Sequence, residues 1–343
     1  MAEREGALES MATVRSFWSP RSVLVTGATG MIGSWLVKEL LDAGARVIAL
    51  VQDANPFTEL YRSKDIDRVH VVNGNLEDFW VLERAINLYE VDTVFHLGAQ
   101  TIVGTAYRFP LQTFESNIRG TYNLLEVCRL HQKLIQRVII ASSDKAYGEQ
   151  PKLPYQEGMP LEGRHPYEVS KSCADLITQT YWRTYRLPVA IARCGNVYGG
   201  GDINWSRIVP GTIRSLFQEE RPIIRSDGKY IRDYVYVKDI VRAYMLLAVS
   251  LQDERVCGEA FNFSTEDPQS ALGVVQLIQQ LLKCEHLEPD IQNIAKGEIR
   301  SQYLSSEKAR RVLGWQPAYN FETGLRETIE WYSAYLRTEV AVS

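Results

Sequence analysis

The sequence predicts an α/β protein with a doubly wound parallel sheet and a smaller C-terminal lobe. Three observations lead to this prediction. Short apolar runs alternate with helical patterns between residues 22 and 193, and the first of these runs ends in a glycine-rich turn. After residue 201 the pattern changes, and basic residues are interleaved with turns. Alternating strands and helices imply parallel strands, right-handed crossovers and helices on both faces of the sheet.

The composition argues against several classes of function. The chain has 343 residues and a formal net charge of −4, so it carries no basic field that would attract nucleic acid or an anionic membrane. No apolar run approaches the roughly 18 residues that cross a bilayer. Residues 1–16 contain no apolar signal core, so we expect a flexible tail there and a cytoplasmic protein.

The cysteines and histidines indicate neither a disulfide framework nor a metal site. The five cysteines are odd in number and form no Cys-x-x-Cys pair. The five histidines are scattered along the chain. We therefore expect reduced cysteines in the core and no bound metal.

A glycine-rich turn follows the first predicted strand, Ser22–Thr26. Gly27 permits the tight turn, Gly30 lets the backbone approach a pyrophosphate, and Gly33 lets the next helix lie close to the strand. This order is typical of a Rossmann-type dinucleotide site. The alternative is a glycine-rich turn that binds nothing. The expected cofactor contacts here are Gly27, Thr29, Gly30, Met31, Ile32 and Gly33.

The second predicted strand, Arg46–Val51, bears on the choice between NAD and NADP. A carboxylate near the end of this strand would bind the hydroxyl groups of the adenosine ribose. Val51 occupies its usual place, but Asp53 follows two residues later and no arginine stands beside it. The sequence therefore favours NAD.

The third and fourth predicted strands, Val69–Val72 and Thr93–Leu97, lead into further cofactor loops. Small or polar residues follow each strand, where the backbone can pass close to a dinucleotide. His70 within the third strand is expected to be a packed core residue. The cofactor contacts expected from these loops are Asn75, Leu76, Leu97, Ala99 and Gln100.

The fifth predicted strand, Arg137–Ala141, is followed by a cluster of reactive side chains. Ser143, Asp144 and Lys145 lie just after its C-terminal end. Ligands of open parallel sheets bind outside those ends. A sixth strand is predicted at Leu187–Arg193, so the cluster lies well inside the sheet region.

Tyr167 and Lys171 form a predicted proton-transfer pair. A helix that starts near Pro166 places them at i and i+4, where an ammonium group can reach a phenol. The positive charge would lower the pKa of the tyrosine from about 10, so that it could act as a base. Tyr234 and Lys238 have the same spacing, but their segment predicts a strand, in which four residues span roughly 13 Å.

Basic residues in the second half of the chain predict a smaller lobe that binds an anion. We assign Arg232 and Arg300 to a substrate diphosphate, and the alternative is a solvated surface role. Asn196 and Arg207 complete the expected substrate contacts. Residues 256–264 are expected to return to the sheet. The predicted division is a dinucleotide-binding domain at 17–194 with a return segment at 234–264, and a substrate-binding lobe at 195–233 and 265–335.

Several motifs together resemble the extended short-chain dehydrogenase/reductase family of nucleotide-sugar enzymes. They are Thr26–Gly33, Ser143, Tyr167–Lys171 and Arg193–Gly199. Within that family, Ser16–Trp18, Gly33–Leu36, Ser143–Lys145 and Gly195–Asp202 resemble the 4,6-dehydratases, and among them the CDP-glucose 4,6-dehydratases. The segment at Arg232–Asp233 resembles the general epimerase/dehydratase form instead, so the nucleotide base stays open. The resemblance implies NAD as cofactor and a nucleotide sugar as substrate.

The resemblance also implies a mechanism. Tyr167 would take the 4-hydroxyl proton of the hexose while C4 gives hydride to NAD, and Ser143 would hydrogen-bond the reacting oxygen. Lys171 would lower the tyrosine pKa and hold the nicotinamide ribose. Lys145, or a water that it orients, would take the C5 proton, and Asp144 would protonate the departing 6-hydroxyl. The alternative for these last two residues is a surface ion pair.

Two other functions remain open at this point. A nucleotide-sugar 4-epimerase would use the serine, the tyrosine and Lys171, and would leave the Asp–Lys pair idle. A non-catalytic NAD-binding protein could share the same fold, because fold does not determine function. The resemblance further implies a homodimer in which helices at 111–130 and 167–185 of two copies pair.

Overall fold

A seven-stranded parallel sheet forms the centre of the computed structural model, which describes residues 16–19, 21–294 and 298–342. The predicted tail lies outside the described residues except for Ser16. The strands are β1 (Ser22–Thr26), β2 (Arg46–Val51), β3 (His70–Asn73), β4 (Thr93–His96), β5 (Arg137–Ser143), β6 (Val189–Cys194) and β11 (Ala260–Phe263). Their order is β11-β6-β5-β4-β1-β2-β3, and every neighbouring pair is parallel. The predicted doubly wound fold is confirmed.

The six strands predicted before residue 194 are all present, with bounds that differ by two residues or fewer. The prediction for His70 is wrong. This side chain is exposed on β3, and its ring lies against Tyr89 at a centroid distance of 5.1 Å. The reason is that β3 is an edge strand.

Helices cover both faces of the sheet. They are α1 (Met31–Asp42), α2 (Glu59–Arg62), α3 (Phe79–Leu88), α4 (Val103–Arg108), α5 (Pro110–Phe114), α6 (Gly120–Leu130), α7 (Pro166–Tyr185), α8 (Ile208–Phe217), α9 (Val237–Val249), α10 (Ala271–Leu282), α11 (Glu307–Leu313) and α12 (Phe321–Val342). A π-helical turn, Glu115–Arg119, joins α5 to α6. No helix among the described residues is long and apolar enough to cross a bilayer.

The predicted strand around Tyr234 is shorter than expected. It ends at Tyr236, and α9 begins at Val237. Asp239 lies in the first helical turn and its carboxylate accepts from the amides of residues 318 and 319. Lys238 is therefore a helical residue, and its Nζ lies 2.6 Å from Glu327. The segment is helical from Val237 onward, although its apolar and polar residues alternate as in a strand, because this helix packs its apolar face into the core.

Each face of the sheet has its own hydrophobic core. Consecutive residues of β1 show this, because Leu24 packs in one core cluster and Val25 in the other. Neither side chain is exposed. Successive side chains of a strand point to opposite faces, so a sheet covered on both sides needs continuous apolar strands.

Short strands after residue 195 build smaller sheets at the C-terminal end of the main sheet. They are β7 (Asn196–Tyr198), β8 (Ile223–Ile224), β9 (Ile231–Arg232), β10 (Tyr234–Tyr236), β12 (Gln269–Ser270), β13 (Asp290–Ile291) and β14 (Ser301–Gln302). The three-stranded one has the order β12-β9-β14, in which Gln302 lies opposite Arg232. This pairing positions two polar side chains near the end of β5.

Candidate active site

The glycine turn after β1 accepts no side chain at two of its positions. Gly27 has a φ of +68°, and a Cβ there would lie 2.7 Å from the Gly98 nitrogen. A Cβ on Gly33 would lie 2.0 Å from the Gly27 carbonyl oxygen. Gly27 must be glycine because of its positive φ and because the loop after β4 lies against it. Gly33 must be glycine because the first turn of α1 lies against the backbone of Gly27.

The N-terminus of α1 is open to a ligand. Its cap residue, Gly30, provides no side-chain hydrogen bond, and the first helical turn contains no acidic residue. The first amides of a helix have no partner within the helix and carry the positive end of its dipole. This combination fits the pyrophosphate of a dinucleotide.

The other predicted cofactor residues lie along the C-terminal ends of β1 to β4. Asp53 and Asn75 are exposed in the loops after β2 and β3, and Leu76 is buried. The half-buried members are Thr29, Met31, Ile32, Leu97, Ala99 and Gln100. The structure thus brings all of them to the C-terminal ends of the parallel strands. No cluster of His, Cys, Asp and Glu that could hold a metal occurs among the residues that the structure describes.

Asn117 connects the loop after β4 to the helix that carries Tyr167. Its side chain accepts from the Gln100 amide at 2.7 Å and donates to the Gln100 carbonyl at 3.0 Å. It also donates to Ser170 Oγ at 2.9 Å. Asn117 lies in the π-helical turn, a feature often found at functional sites. The sequence showed it only as a polar residue within an apolar helical pattern.

His96 lies in a chain of hydrogen bonds that begins at the loop after β4 and runs in one direction from donor to acceptor. The Gly98 amide donates to Thr26 Oγ1, which contacts His96 Nδ1 at 2.8 Å. On the other side, His96 Nε2 lies 3.0 Å from Thr121 Oγ1, which donates to the Asn117 carbonyl. These directions assign the neutral Nε2–H form. Burial, with help from the charge of Lys171, lowers the pKa of His96 to about 3.

Different groups surround the phenol of Tyr167 and the ammonium group of Lys171. Burial raises the pKa of Tyr167 to about 12, and the influences that lower it are the charge of Arg207 and a hydrogen bond with Ser143. Lys171 Nζ instead donates to the Ala141 carbonyl at 2.9 Å. The lowering of the Tyr167 pKa by Lys171 therefore stays a prediction. Burial desolvates the phenolate, and the ammonium group faces a backbone carbonyl.

Burial also changes the protonation of Lys171. It lowers the pKa of this lysine from 10.5 to about 8. The side chain is only 6% exposed, on the second turn of α7. At neutral pH the group is still mainly charged, so it can hold a polar ligand beside Tyr167.

Asp144 and Lys145 follow Ser143 in a short 3₁₀ helix at the end of β5. Asp144 is 2% exposed, and its Oδ1 accepts from Ser143 Oγ at 2.9 Å. Its Oδ2 is buried and has no hydrogen-bond partner among the described residues. Burial raises the pKa of Asp144, while the charge of Lys145 lowers it. The carboxyl group thus favours its neutral form more than a solvated aspartate does.

Lys145 is shifted in the opposite direction. Its Nζ donates to Gln302 Oε1 at 2.5 Å. Burial lowers the pKa of Lys145, the charge of Asp144 raises it, and Arg232 lowers it further. A surface ion pair, the alternative for these two residues, is wrong because the carboxyl group is buried and the amine binds an amide.

Two of the four predicted substrate residues, Arg232 and Arg300, differ in exposure. Arg232 is 9% exposed and donates to the carbonyls of Ile231 and Arg300. Its charge lowers the pKa of both Asp144 and Lys145. The Arg300 side chain is 68% exposed and lies 3.5 Å from Asp227. The structure therefore brings the guanidinium group of Arg232, rather than that of Arg300, to the Asp–Lys pair.

Arg207 lies close enough to Tyr167 for its charge to lower the pKa of the phenol. Arg207 is the residue before α8, and its Nη1 donates to Asp202 Oδ2 at 3.1 Å. Its side chain remains 43% exposed, so its charge is partly screened. The side-chain nitrogen of Asn196, Nδ2, is buried without a hydrogen-bond partner among the described residues. An unpaired buried donor of this kind is suited to a ligand.

Comparison with known proteins agrees with this geometry. The model of a family described as GDP-mannose 4,6 dehydratase matches residues 24–328. A CDP-glucose 4,6-dehydratase of Salmonella typhimurium is 30% identical over 344 residues, which is 95% of this chain and 94% of the relative.

Two solved structures share the fold across nearly their whole length. A UDP-glucose 4-epimerase of Thermotoga maritima is 30% identical, with a TM-score of 0.83, over 92% of this chain and 99% of the other. A dTDP-glucose 4,6-dehydratase of Streptomyces venezuelae with NAD bound is 28% identical, with a TM-score of 0.82, over 91% and 97%. The resemblance stated from the motifs is confirmed. This chain belongs to the GDP-mannose 4,6 dehydratase family of the nucleotide-sugar short-chain dehydrogenases/reductases.

Proposed function

We propose that this protein is an NAD-dependent nucleotide-sugar 4,6-dehydratase, a lyase, with CDP-glucose as its substrate. The observation that carries the proposal is the pair of the buried Asp144 and the half-buried Lys145, whose pKa values are shifted in opposite directions. A neutral carboxyl group can donate a proton and a neutral amine can accept one, which is what the loss of water from a sugar requires. A 4-epimerase needs no such pair. The choice of CDP-glucose is supported by the Salmonella relative.

The uncapped α1 terminus and the glycine turn support NAD as the cofactor, as do relatives that hold it. When bound, NAD would supply the oxidation at C4 of the sugar and the reduction at C6, so the cofactor would be regenerated in each turnover. Asp53 would bind the adenosine ribose. The residues that would hold the rest of the dinucleotide are Gly27, Thr29, Gly30, Met31, Ile32, Gly33, Asn75, Leu76, Leu97, Ala99, Gln100, Tyr167 and Lys171.

In the oxidation step, Tyr167 takes the proton of the 4-hydroxyl group. The Arg207 charge and the Ser143 hydroxyl both lower the pKa of Tyr167 and so stabilise its phenolate. Ser143 hydrogen-bonds the reacting oxygen, and Lys171 holds the nicotinamide ribose. The C4 ketone that results makes the C5 proton acidic.

In the elimination step, Lys145 takes the C5 proton and Asp144 gives its proton to the departing 6-hydroxyl group, which leaves as water. Lys145 then returns its proton to C5 when hydride arrives at C6. The proton on Tyr167 restores the acid form of Asp144 through solvent. One water molecule is lost in total, and every residue ends in its starting state.

The buried guanidinium group of Arg232 and the unpaired amide of Asn196 support a substrate site between the sheet and the smaller lobe. Arg207 and Arg300 complete the proposed contacts with the diphosphate. We assign the dinucleotide to residues 17–194 with the return segment 234–264. The substrate-binding lobe comprises 195–233 and 265–335.

Exposed apolar side chains on α5, α6 and α7 support a homodimer. Helices that carry such residues on an outer face pair readily across a two-fold axis. The set is Leu111 (72% exposed), Tyr122 (41%), Leu130 (55%), Leu176 (52%) and Tyr185 (46%). Leu176→Asp should convert the dimer into a monomer in light-scattering measurements. A wild-type monomer at micromolar concentration would refute the assembly.

A cytoplasmic location is part of the same proposal. The five cysteines are all free. Free thiols fit a reducing compartment, whereas structural disulfides are usual in oxidising ones.

The direct test is turnover with CDP-, GDP-, UDP- and dTDP-glucose, followed by mass spectrometry of the product. Loss of one water supports the dehydratase, and the fastest nucleotide identifies the base. A product of unchanged mass would establish the 4-epimerase instead. If the protein binds NAD but changes none of the four sugars, the result would support a non-catalytic NAD-binding protein.

A further inference from the structure

A side chain from the smaller lobe contacts the proposed base. Gln302 lies 157 positions after Lys145, on β14, and is 0% exposed. Its Oε1 lies 2.5 Å from Lys145 Nζ. Its Nε2 is buried and has no hydrogen-bond partner among the described residues. A buried amide with one half paired and the other half free is uncommon and calls for an explanation.

We propose that Gln302 is a positioning residue for Lys145. Its amide oxygen accepts one N–H of the amine, so that the nitrogen lone pair is left for the C5 proton of the substrate. This inference rests on the proposed function, because it assumes that Lys145 acts as a base. A donor in place of the oxygen would occupy the lone pair, and the contact would then oppose proton transfer.

The backbone around Gln302 is held firmly enough to position a side chain. Gln302 lies opposite Arg232 in the pairing of β14 with β9. The Leu304 amide donates to the buried carboxylate of Asp233 at 3.3 Å. Tyr155 pairs on both sides of Leu304, since its amide donates to the carbonyl of residue 303 and its carbonyl accepts from the amide of residue 305, both at 2.9 Å. The strand is thus tied to two other segments of the chain.

The amide has a second consequence, which concerns charge. The groups that act on Lys145 are Asp144, Glu168 and Glu298, which raise its pKa, and Arg232, which lowers it, in addition to burial, which has the largest effect. An amide adds no charge to this balance. A carboxylate at the same place would add an anion in hydrogen-bond contact with the amine and would favour its protonated form. Glutamine therefore orients the amine without protonating it.

The first test is the pH dependence of kcat/KM in Gln302→Glu. The ascending limb should move to higher pH by about one unit or more, and the rate should recover toward wild type at high pH because an acceptor oxygen remains. The control is Gln279→Glu. Gln279 is 4% exposed on α10 and donates to the Leu287 carbonyl, so this variant disturbs a buried amide away from Lys145. Its ascending limb should stay in place.

The second test separates the chemical steps in Gln302→Leu, which keeps the volume and removes the acceptor. Under single-turnover conditions, formation of bound NADH, seen by its absorbance, should keep its wild-type rate, while loss of water should slow by about tenfold or more. Equal slowing of both steps would show a general structural defect and would overturn the proposal. An unshifted limb in a folded Gln302→Glu enzyme would overturn it as well.

A third measurement does not depend on turnover. Trace acetylation of Lys145 at a series of pH values, followed by peptide mass spectrometry, reports the midpoint at which the amine becomes neutral. The midpoint should be higher in Gln302→Glu than in wild type and unchanged in Gln279→Glu. If this shift appears but wild type dehydrates none of the four sugars, the proposed function fails and the Gln302–Lys145 contact stands. If wild type dehydrates a sugar and neither the midpoint nor the limb moves, the positioning role fails alone.

Discussion

The guanidinium group of Arg193 holds the carboxylate of Asp175 at two points, with N–O distances of 2.8 and 2.9 Å. Both side chains are almost fully buried, at 3% and 0% exposure. Arg193 belongs to β6 and Asp175 to α7, and the guanidinium group also donates to the Tyr147 hydroxyl at 2.8 Å. The pair therefore fixes the helix that carries Tyr167 to the sheet and to the segment that carries Asp144.

Asp175→Asn should destabilise the protein strongly, because it leaves a buried guanidinium charge without its counterion. We expect a loss of about 3–5 kcal/mol in the free energy of unfolding, measured by urea titration. Glu322→Gln is the control, because it breaks an exposed pair with Arg326 on α12 and should change stability very little. Similar losses in the two variants would contradict the role given to the buried pair.

Asp144→Asn should slow the loss of water strongly while it leaves the first oxidation intact. An amide keeps the shape of the carboxyl group but is a far weaker acid, and a general acid contributes typically about 10²–10⁴-fold to a rate. Bound NADH should still form with substrate, and the dehydrated product should fall by that factor. Asp253→Asn, on the surface beside Arg255, should behave like wild type. Full dehydration by Asp144→Asn would remove this residue from the mechanism.

Tyr167→Phe should abolish turnover while the protein still binds NAD. The variant removes the hydroxyl group of the proposed base and hardly alters the buried volume. Isothermal titration with NAD measures binding, and mass spectrometry of the sugar measures turnover. Unchanged turnover would show that another residue acts as the base.

The pH dependence of the proposed oxidation step should respond to Arg207. Burial raises the pKa of Tyr167 to about 12, and the Arg207 charge is the largest influence that lowers it. Arg207→Gln should therefore move the ascending limb of the oxidation rate to higher pH, measured as NADH formation. Arg214→Gln is the matched control, because Arg214 lies in the last turn of α8, the helix that Arg207 precedes. An identical limb in both variants would contradict the electrostatic role of Arg207.

Asp233 should make stability depend on pH. Burial raises its pKa from 3.8 to about 6. A raised folded pKa adds stability that is complete below the unfolded pKa of 3.8 and is lost as the pH rises through about 6. Between about pH 5 and 7 this group should cost on the order of 1 kcal/mol. Thermal melts should therefore show a smaller fall over this range in Asp233→Asn than in wild type, and an equal fall would contradict the shift.

The sequence by itself determined the order of the strands along the chain, the glycine turn and the location of the reactive side chains. These features depend on residues close in the chain. Apolar runs predict strands, φ above zero at Gly27 requires glycine, and Ser143 to Lys145 lie at the C-terminal end of a strand, where ligands of parallel sheets bind. For the same reason the family could be recognised from local motifs.

Only the tertiary structure decided which groups are buried and which groups touch. His70 is exposed because its strand lies at the edge of the sheet, which no local pattern reveals. The spacing of Tyr167 and Lys171 is helical as predicted, yet the lysine binds the Ala141 carbonyl. Gln302 reaches Lys145 across 157 positions. Desolvation and hydrogen bonding depend on the whole set of neighbours in space, and those neighbours come from distant parts of the chain.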